Sequence, residues 1–206
     1  MSSQTRPQDA SPARGRPRDP GIEARVFAAV QTVYWETGWS GFTIDAVAKT
    51  AGVGRPAIYR RWPTKIRLLI AALEQVSPLH DPIDTGTTRG DLKELTRHLL
   101  AGYQSRSGLV ALRVALDARV FPELLEPLTL TISASRLAAT REIVRRGINR
   151  GELPATTNIT TLLEMVTGAA LSHILFSHRA ARPPCPDDAY VERLVDMVLT
   201  GAGSES

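Results

Sequence analysis

TIDAVAKTAGVGRPAIYRRWPTK, residues 43–65, is the stretch on which the reading of this chain turns. Thr43 is placed to cap a helix, its hydroxyl accepting from a free backbone N–H of the first turn. Phe42 and Val47 stand at the two positions of a hydrophobic staple, and Asp45 puts a negative charge where the helix dipole favours one. Ile44, Val47 and Ala48 follow i, i+3, i+4 and face a core. Gly52 supplies the left-handed residue that ends this helix and opens a sharp turn, and Val53 plugs the angle. Pro56 suits the first turn of a second helix, where its missing N–H costs little. Ile58 and Trp62, four apart, point inward; Pro63 stops the helix. Arg55, Tyr59, Arg60 and Arg61 are left for the outer face. Two short helices, a tight turn and a cationic second helix have the shape of a helix-turn-helix that sets its second helix in the DNA major groove.

Thr43-Ile44, Val47-Ala48, Ala51-Gly52-Val53, Ile58-Tyr59, Trp62 and Lys65 resemble the signature of the TetR/AcrR family of bacterial transcriptional regulators. The match covers roughly residues 20 to 70 at fixed spacing; beyond it the chain is similar only in length, helical character and order of parts. Two positions depart. Gly54 and Ala57 stand where many members carry a hydroxyl residue, which removes a side-chain cap worth a few tenths of a kcal/mol and a contact to phosphate.

Charge agrees with a polyanion-binding head. The chain has 206 residues and net charge +4. Residues 1–67 carry net +6 and residues 68–206 net −2, so the positive charge travels with the helix-turn-helix. Hydrophobic content of 43% is enough for a buried core. The single cysteine, Cys185, can neither close an internal disulfide nor build a Cys-based zinc site. The N-terminus lacks the apolar segment of a secretory signal, and no apolar run reads as a membrane span; a cytoplasmic protein with no membrane partner is the expectation.

Residues 1–18 are rich in Pro, Arg, Ser and Gln and read as disordered. Arg14, Arg16 and Arg18 sit just before the first helix; they either form an arm that reaches phosphates or a minor groove or merely solubilise the tail. From Asp19 to Glu36, Ile22, Val26, Ala29, Val30 and Val33 make one apolar stripe, which Gly38 ends. Trp35, Trp39 and Trp62 all read as core of this head. A helix from Thr64-Lys65 to Val76, with Leu68, Leu69, Ala72 and Leu73 inside, links head to body. Residues 77–91 are a loop dense in Pro, Gly, Asp and Thr. Helices are then expected near 91–105, 107–120, 126–150, 158–180 and 187–201. The fold class is all-α. It comprises a disordered arm (1–18), a three-helix DNA-binding head (19–67), and a helical ligand-binding and dimerisation domain (68–206).

The helix near 158–180 is apolar nearly all round. Ile159, Leu162, Leu163, Val166, Ala170 and Ile174 form one face, and Met165, Gly168, Leu171, Leu175 and Phe176 cover much of the rest. Such a helix is buried on more than one side, either within one subunit or against a second copy. With Val191, Leu194, Val195 and Val198 of the last helix it forms a four-helix dimer bundle in the latter case. The resemblance implies that dimer.

By position, Arg55 is the base reader, while Arg60 and Arg61 suit phosphate. The resemblance assigns phosphate contacts to Thr43, Tyr59 and Lys65, and Pro56 and Ala57 complete the expected DNA-binding set with Arg16 and Arg18. A dimer meets major grooves about 34–36 Å apart on a pseudo-palindromic operator. The resemblance also implies a body that takes a small effector and releases DNA. The candidate pocket residues are His98, Tyr103, Phe121, Met165, His173 and Phe176, an apolar and aromatic set that fits a neutral or aromatic ligand. Ordinary packing is the alternative for His98 and His173. No metal or cofactor is expected: His80, His98, His173 and His178 show no ligand spacing, and no nucleophile elbow or phosphate-binding Gly loop argues for an enzyme. The competing reading keeps the same fold but makes the protein a ligand-independent or architectural DNA-binding factor.

Overall fold

The computed structural model of the chain describes residues 21–75, 83–128, 134–176 and 188–203. Among them lie ten α-helices and no strand: α1 Ile22–Gly41, α2 Ile44–Ala51, α3 Arg55–Tyr59, α4 Lys65–Glu74, α5 Thr88–Gln104, α6 Arg106–Asp117, α7 Pro122–Leu128, α8 Ala134–Asn149, α9 Ile159–Phe176 and α10 Asp188–Gly203. Arg14, Arg16, Arg18, His80, His178 and Cys185 lie outside the described residues.

The apolar stripe of α1 is buried as its spacing requires, with Val26, Ala29, Val30 and Val33 all 5% exposed or less. Gly38 breaks the helix at φ 61° and ψ −171°. The positive φ is what calls for glycine there; a Cβ would meet only the movable end of the Arg113 side chain. One tryptophan departs from expectation. Trp39 and Trp62 are buried, but Trp35 is 42% exposed. It follows Val33 by two residues, which puts it on the far side of a 3.6-residue helix from the stripe.

Hydroxyl caps set four of the helix starts. Thr43, Thr64, Thr87 and Ser105 each accept from the backbone N–H three residues on, at 3.0–3.2 Å. The Thr87 cap starts α5 at Thr88, three residues before the expected position. The single helix expected over 126–150 is replaced by α7, opened by Pro122 at its first position, and by α8. Residues 129–133 between them are outside the described set.

The first core cluster draws on α1 to α4 and also takes in Val110, Val114 and Ala118 of the α6 segment and Leu124 of α7. The boundary expected at residues 67/68 therefore falls inside a shared core. In the body, α5 is central and packs on α6, α8, α9 and α10. A second cluster joins Leu92, Leu95, Ile143, Val144, Leu162, Val166 and Val195.

The loop before α5 is tied to α8 by Asp91, which is fully buried. Its carboxylate accepts from Thr85 N–H at 2.6 Å, Thr85 Oγ1 at 2.8 Å and Arg146 Nη2 at 3.1 Å. Arg150 Nη2 stands 3.5 Å away.

By length and composition alone, α9 is apolar enough to cross a membrane, with mean hydropathy 1.5 over 18 residues. Sequence reading missed this because Thr, Glu, Ser and His interrupt the run. The helix packs on α5, α8 and α10, with Leu162, Leu163, Val166 and Ala170 buried. Only 22% of its length is buried within the protomer.

Candidate nucleic-acid interface

The helix α2 begins at Thr43, whose Oγ1 accepts from Ala46 N–H at 3.1 Å. It ends in a paired closure: Val53 N–H donates to Ala48 O at 3.1 Å and Gly52 N–H to Lys49 O at 3.3 Å, with Gly52 left-handed at φ 63°. This Schellman geometry fixes the exit direction of the chain without any side chain. Phe42, Val47 and Ile58 are fully buried, and Phe27 packs on Trp62 with centroids 5.3 Å apart. The turn is therefore held from beneath, and its outer face is free to be polar.

On that face the sequence-selected residues separate into two groups. Thr43, Arg55, Pro56, Tyr59 and Arg60 are exposed, and Ala57 is half-buried. Tyr59 is 48% exposed, so it is not a core residue. The groove between α2 and α3 is lined by Asp45, Ala46, Ala48, Lys49, Gly52, Val53, Gly54 and Arg55. Arg55 does not project alone: its Nη1 pairs with Asp45 Oδ2 at 3.0 Å. Sequence reading gave Asp45 only a helix-dipole role and did not select Lys49. The outward i, i+4 placement of the two was the available signal.

Arg61 and Lys65 are engaged within the protein. Arg61 Nε lies 3.7 Å from Glu23 Oε1 at the start of α1. Lys65 Nζ donates to Trp39 O at 3.2 Å and sits 3.7 Å from the centre of the Trp39 ring, a cation–π contact. The recognition helix is shorter than expected, because after Tyr59 the chain tightens and both Arg61 N–H and Trp62 N–H turn back to Ile58 O.

Trp39 is the meeting point of head and body. Its backbone N–H donates to Asp117 Oδ2 of α6 at 3.2 Å, and its Nε1–H to Glu123 Oε1 of α7 at 2.8 Å. Asp117 Oδ2 also accepts from Tyr34 OH at 2.7 Å. Burial, and then the neighbouring Asp117 carboxylate, push the Tyr34 phenol far above its usual range, so it stays a donor. The Trp39 hydrogen bond, helped by the charge of Lys65, holds Glu123 below the usual carboxylate range. Arg113 of α6 donates to Trp35 O. Residues 113 and 117, one turn apart on α6, thus grip the two sides of the Gly38 break. These contacts span about eighty residues of sequence, and no local pattern announces them.

The residues expected to line one ligand pocket are dispersed. Tyr103 packs with Ile174 and Tyr190 against Leu100, Ala170 and Val191, and the His173 ring stacks on Tyr190 at 3.8 Å. His98 Nδ1 lies 2.8 Å from Glu94 O on its own helix. Phe121 joins the core shared with the head. Met165 and Phe176 are 47% and 77% exposed on α9. Among the described residues no group of three or more His, Cys, Asp or Glu could hold a metal ion.

Comparison with known proteins agrees with this geometry. Residues 28–72 match the family described as bacterial regulatory proteins, tetR family, and residues 82–198 match the tetracyclin repressor-like C-terminal domain. The chain is 31% identical over 189 residues to the HTH-type transcriptional regulator AqdR of Rhodococcus erythropolis, covering 91% of this chain and 88% of that one. It is 30% identical to the DNA-binding transcriptional repressor TetR of Mycobacteroides abscessus, covering 91% and 94%. Its fold is shared with the transcriptional regulator FadR of Bacillus subtilis, solved with stearoyl-CoA, at TM-score 0.63 and 16% identity, covering 86% and 98%.

Proposed function

The chain belongs to the tetR family of bacterial regulatory proteins and is a DNA-binding transcriptional regulator, and from that premise we propose a homodimeric cytoplasmic repressor. It grips a two-fold-related operator and lets go when a small apolar or aromatic effector enters its body. The observation that carries this reading is the division of one short helix: Ile58 is fully buried while Arg55, Tyr59 and Arg60 face outward. A helix anchored on one side and cationic on the other suits the major groove.

In this reading Arg55 reads a base, Pro56 and Ala57 approach the groove edge, and Thr43, Tyr59 and Arg60 hold phosphates. Arg61 and Lys65 join them after leaving Glu23 and Trp39. Arg16 and Arg18 extend the grip from the N-terminal arm. Selection of binding sites from a random duplex pool tests the assignment. Arg55→Ala is expected to lose about 1–3 kcal/mol on the best site and to relax preference at one base position, while Lys65→Ala weakens all sequences alike. An unchanged preference for Arg55→Ala would remove its role.

Dimerisation through α9 and α10 is supported by a row of exposed residues. Met165, Gly168, Ser172, Leu175 and Phe176 follow one another along the outer face of α9, and Met197 and Gly201 are exposed on α10. The row joins apolar bulk to small residues that permit close approach. Sedimentation is expected to give twice the protomer mass for the native chain and the protomer mass for Gly168→Glu. A monomeric native chain at micromolar concentration sinks the proposal.

For the effector, the stacked His173 and Tyr190, with Tyr103 alongside, offer an aromatic seat between α5, α9 and α10. The relative named as a repressor supports repression, and the stearoyl-CoA held by FadR supports an apolar ligand. Release requires only that the effector bind the DNA-incompetent arrangement better than the competent one. A compound that raises the melting temperature and lowers operator affinity is the expected result of screening an apolar library.

A further inference from the structure

We propose that Asp45 is a positioning residue for base recognition, holding Arg55 for a base edge and away from phosphates. The proposal rests on the reading of Arg55 as the base contact. Asp45 sits in the first turn of α2 and Arg55 opens α3, on opposite sides of the turn that Gly52 closes. That turn folds the second helix back until Arg55 Nη1 reaches Asp45 Oδ2 at 3.0 Å. Both side chains border the groove between the two helices and both are largely exposed, at 65% and 49%. Neither is needed by the core beneath, which Ile44, Val47 and Ile58 supply.

The pair has two consequences. An arginine side chain is long and rotamer-rich, and an unrestrained one must be ordered when it docks. Asp45 restrains it through Nη1 and leaves the Nε and Nη2 edge for a bidentate approach to guanine O6 and N7. The pair is also neutral as a unit. A free arginine at the mouth of a cationic head seeks any phosphate. One already paired with a carboxylate gains little by exchanging that partner for a phosphate, and the carboxylate itself repels the backbone. Asp45 therefore lowers binding to arbitrary DNA while keeping the fork aimed at a base. This is specificity built from a repulsive element as well as an attractive one.

The test uses the full chain with the duplex selected by the native protein and a scrambled duplex of the same length. Affinities are measured across a salt series for the native protein, Asp45→Asn, Arg55→Ala and the double variant. Asp45→Asn is expected to bind scrambled duplex more tightly, with the log–log salt slope steeper by about 0.9, one extra phosphate contact. The ratio of selected to scrambled affinity is expected to fall by about tenfold, within the range of one lost base contact. In the Arg55→Ala background the same substitution is expected to leave that ratio unchanged, because the two residues act as one. An equal gain on both duplexes, independent of Arg55, would reduce Asp45 to a simple negative charge and overturn the proposal. An unchanged ratio in Asp45→Asn, with preference lost in Arg55→Ala, overturns the role of Asp45 alone. Retention of full preference by Arg55→Ala overturns both this proposal and the base-reader assignment beneath it.

Discussion

Asp91→Ala is expected to destabilise the protein by about 3 kcal/mol, the lower end for breaking one side of a buried ion pair. The lower end applies because Arg146 and Arg150 keep 23% and 27% of their side-chain surface in solvent. The loss arises from several groups at once. Thr85 loses the acceptor for its N–H and its hydroxyl, and Arg146 loses its bond to the first turn of α5. That carboxylate adds to the Arg146 bond to Ile83 O and to the apolar packing of Leu92 and Leu95 on Ile143 and Val144. Urea unfolding at equal protein concentration measures the effect; a change under 0.5 kcal/mol would contradict the account. Acid titration gives an independent reading. Burial alone would raise the Asp91 carboxyl, but hydrogen bonds from Thr85 and Arg146, and the charge of Arg146, outweigh it and hold it below the ordinary range. A depressed folded-state value means the stabilisation is complete above the unfolded value of about 3.9 and drains as pH falls through the lower folded one. Stability should therefore fall below about pH 4 in the native chain, and less steeply in Asp91→Asn.

Trp39→Ala is expected to cost about 3–5 kcal/mol, as for other buried aromatic truncations. Trp39→Phe separates the hydrogen bond from the packing: the ring keeps its place against Phe42, while Glu123 loses the indole donor. That loss is a small one, because the Glu123 carboxylate is exposed to water. Its location makes it informative, since it removes the link from Trp39 to α7. Amide exchange is expected to quicken in residues 39–42 and 122–124 together in Trp39→Phe. Faster exchange confined to residues 39–42 would show that Glu123 is not part of a head–body connection.

What could be read from the chain was what is local in it. Thr43, Gly52, Pro56 and Trp62 announce the helix-turn-helix because caps, left-handed turns and i, i+4 burial are settled by neighbours within a few residues. Residue type alone puts Trp35 in the core, whereas its phase relative to Val33 puts it outside. Helix position leaves Arg61 for the outer face, and the family resemblance makes Lys65 a phosphate contact. Their partners, Glu23 and Trp39, come from another helix and cannot be inferred from spacing. The Asp45–Arg55 pair escaped for a similar reason, since it depends on the angle of the turn rather than on the helices it joins. The body was legible as helices and not as a site: His98, Tyr103, Phe121, Met165, His173 and Phe176 were chosen as aromatic or soft side chains, and the fold sends them to different clusters and surfaces.

The core shared by α1–α4 with Val110, Val114 and Leu124 bears on how such a chain can diversify. A head that folded alone could be exchanged between regulators like an interchangeable tool bit. Here the underside of the head is built partly from α6 and α7, with Arg113 and Asp117 closing the end of its first helix. Transplanting residues 21–75 onto another body would carry across the DNA-reading surface and leave its foundation behind. On the roles proposed for Asp45 and Arg55, new sequence preferences are more accessible by substitution at those two outer-face positions than by recombination at the boundary between the parts.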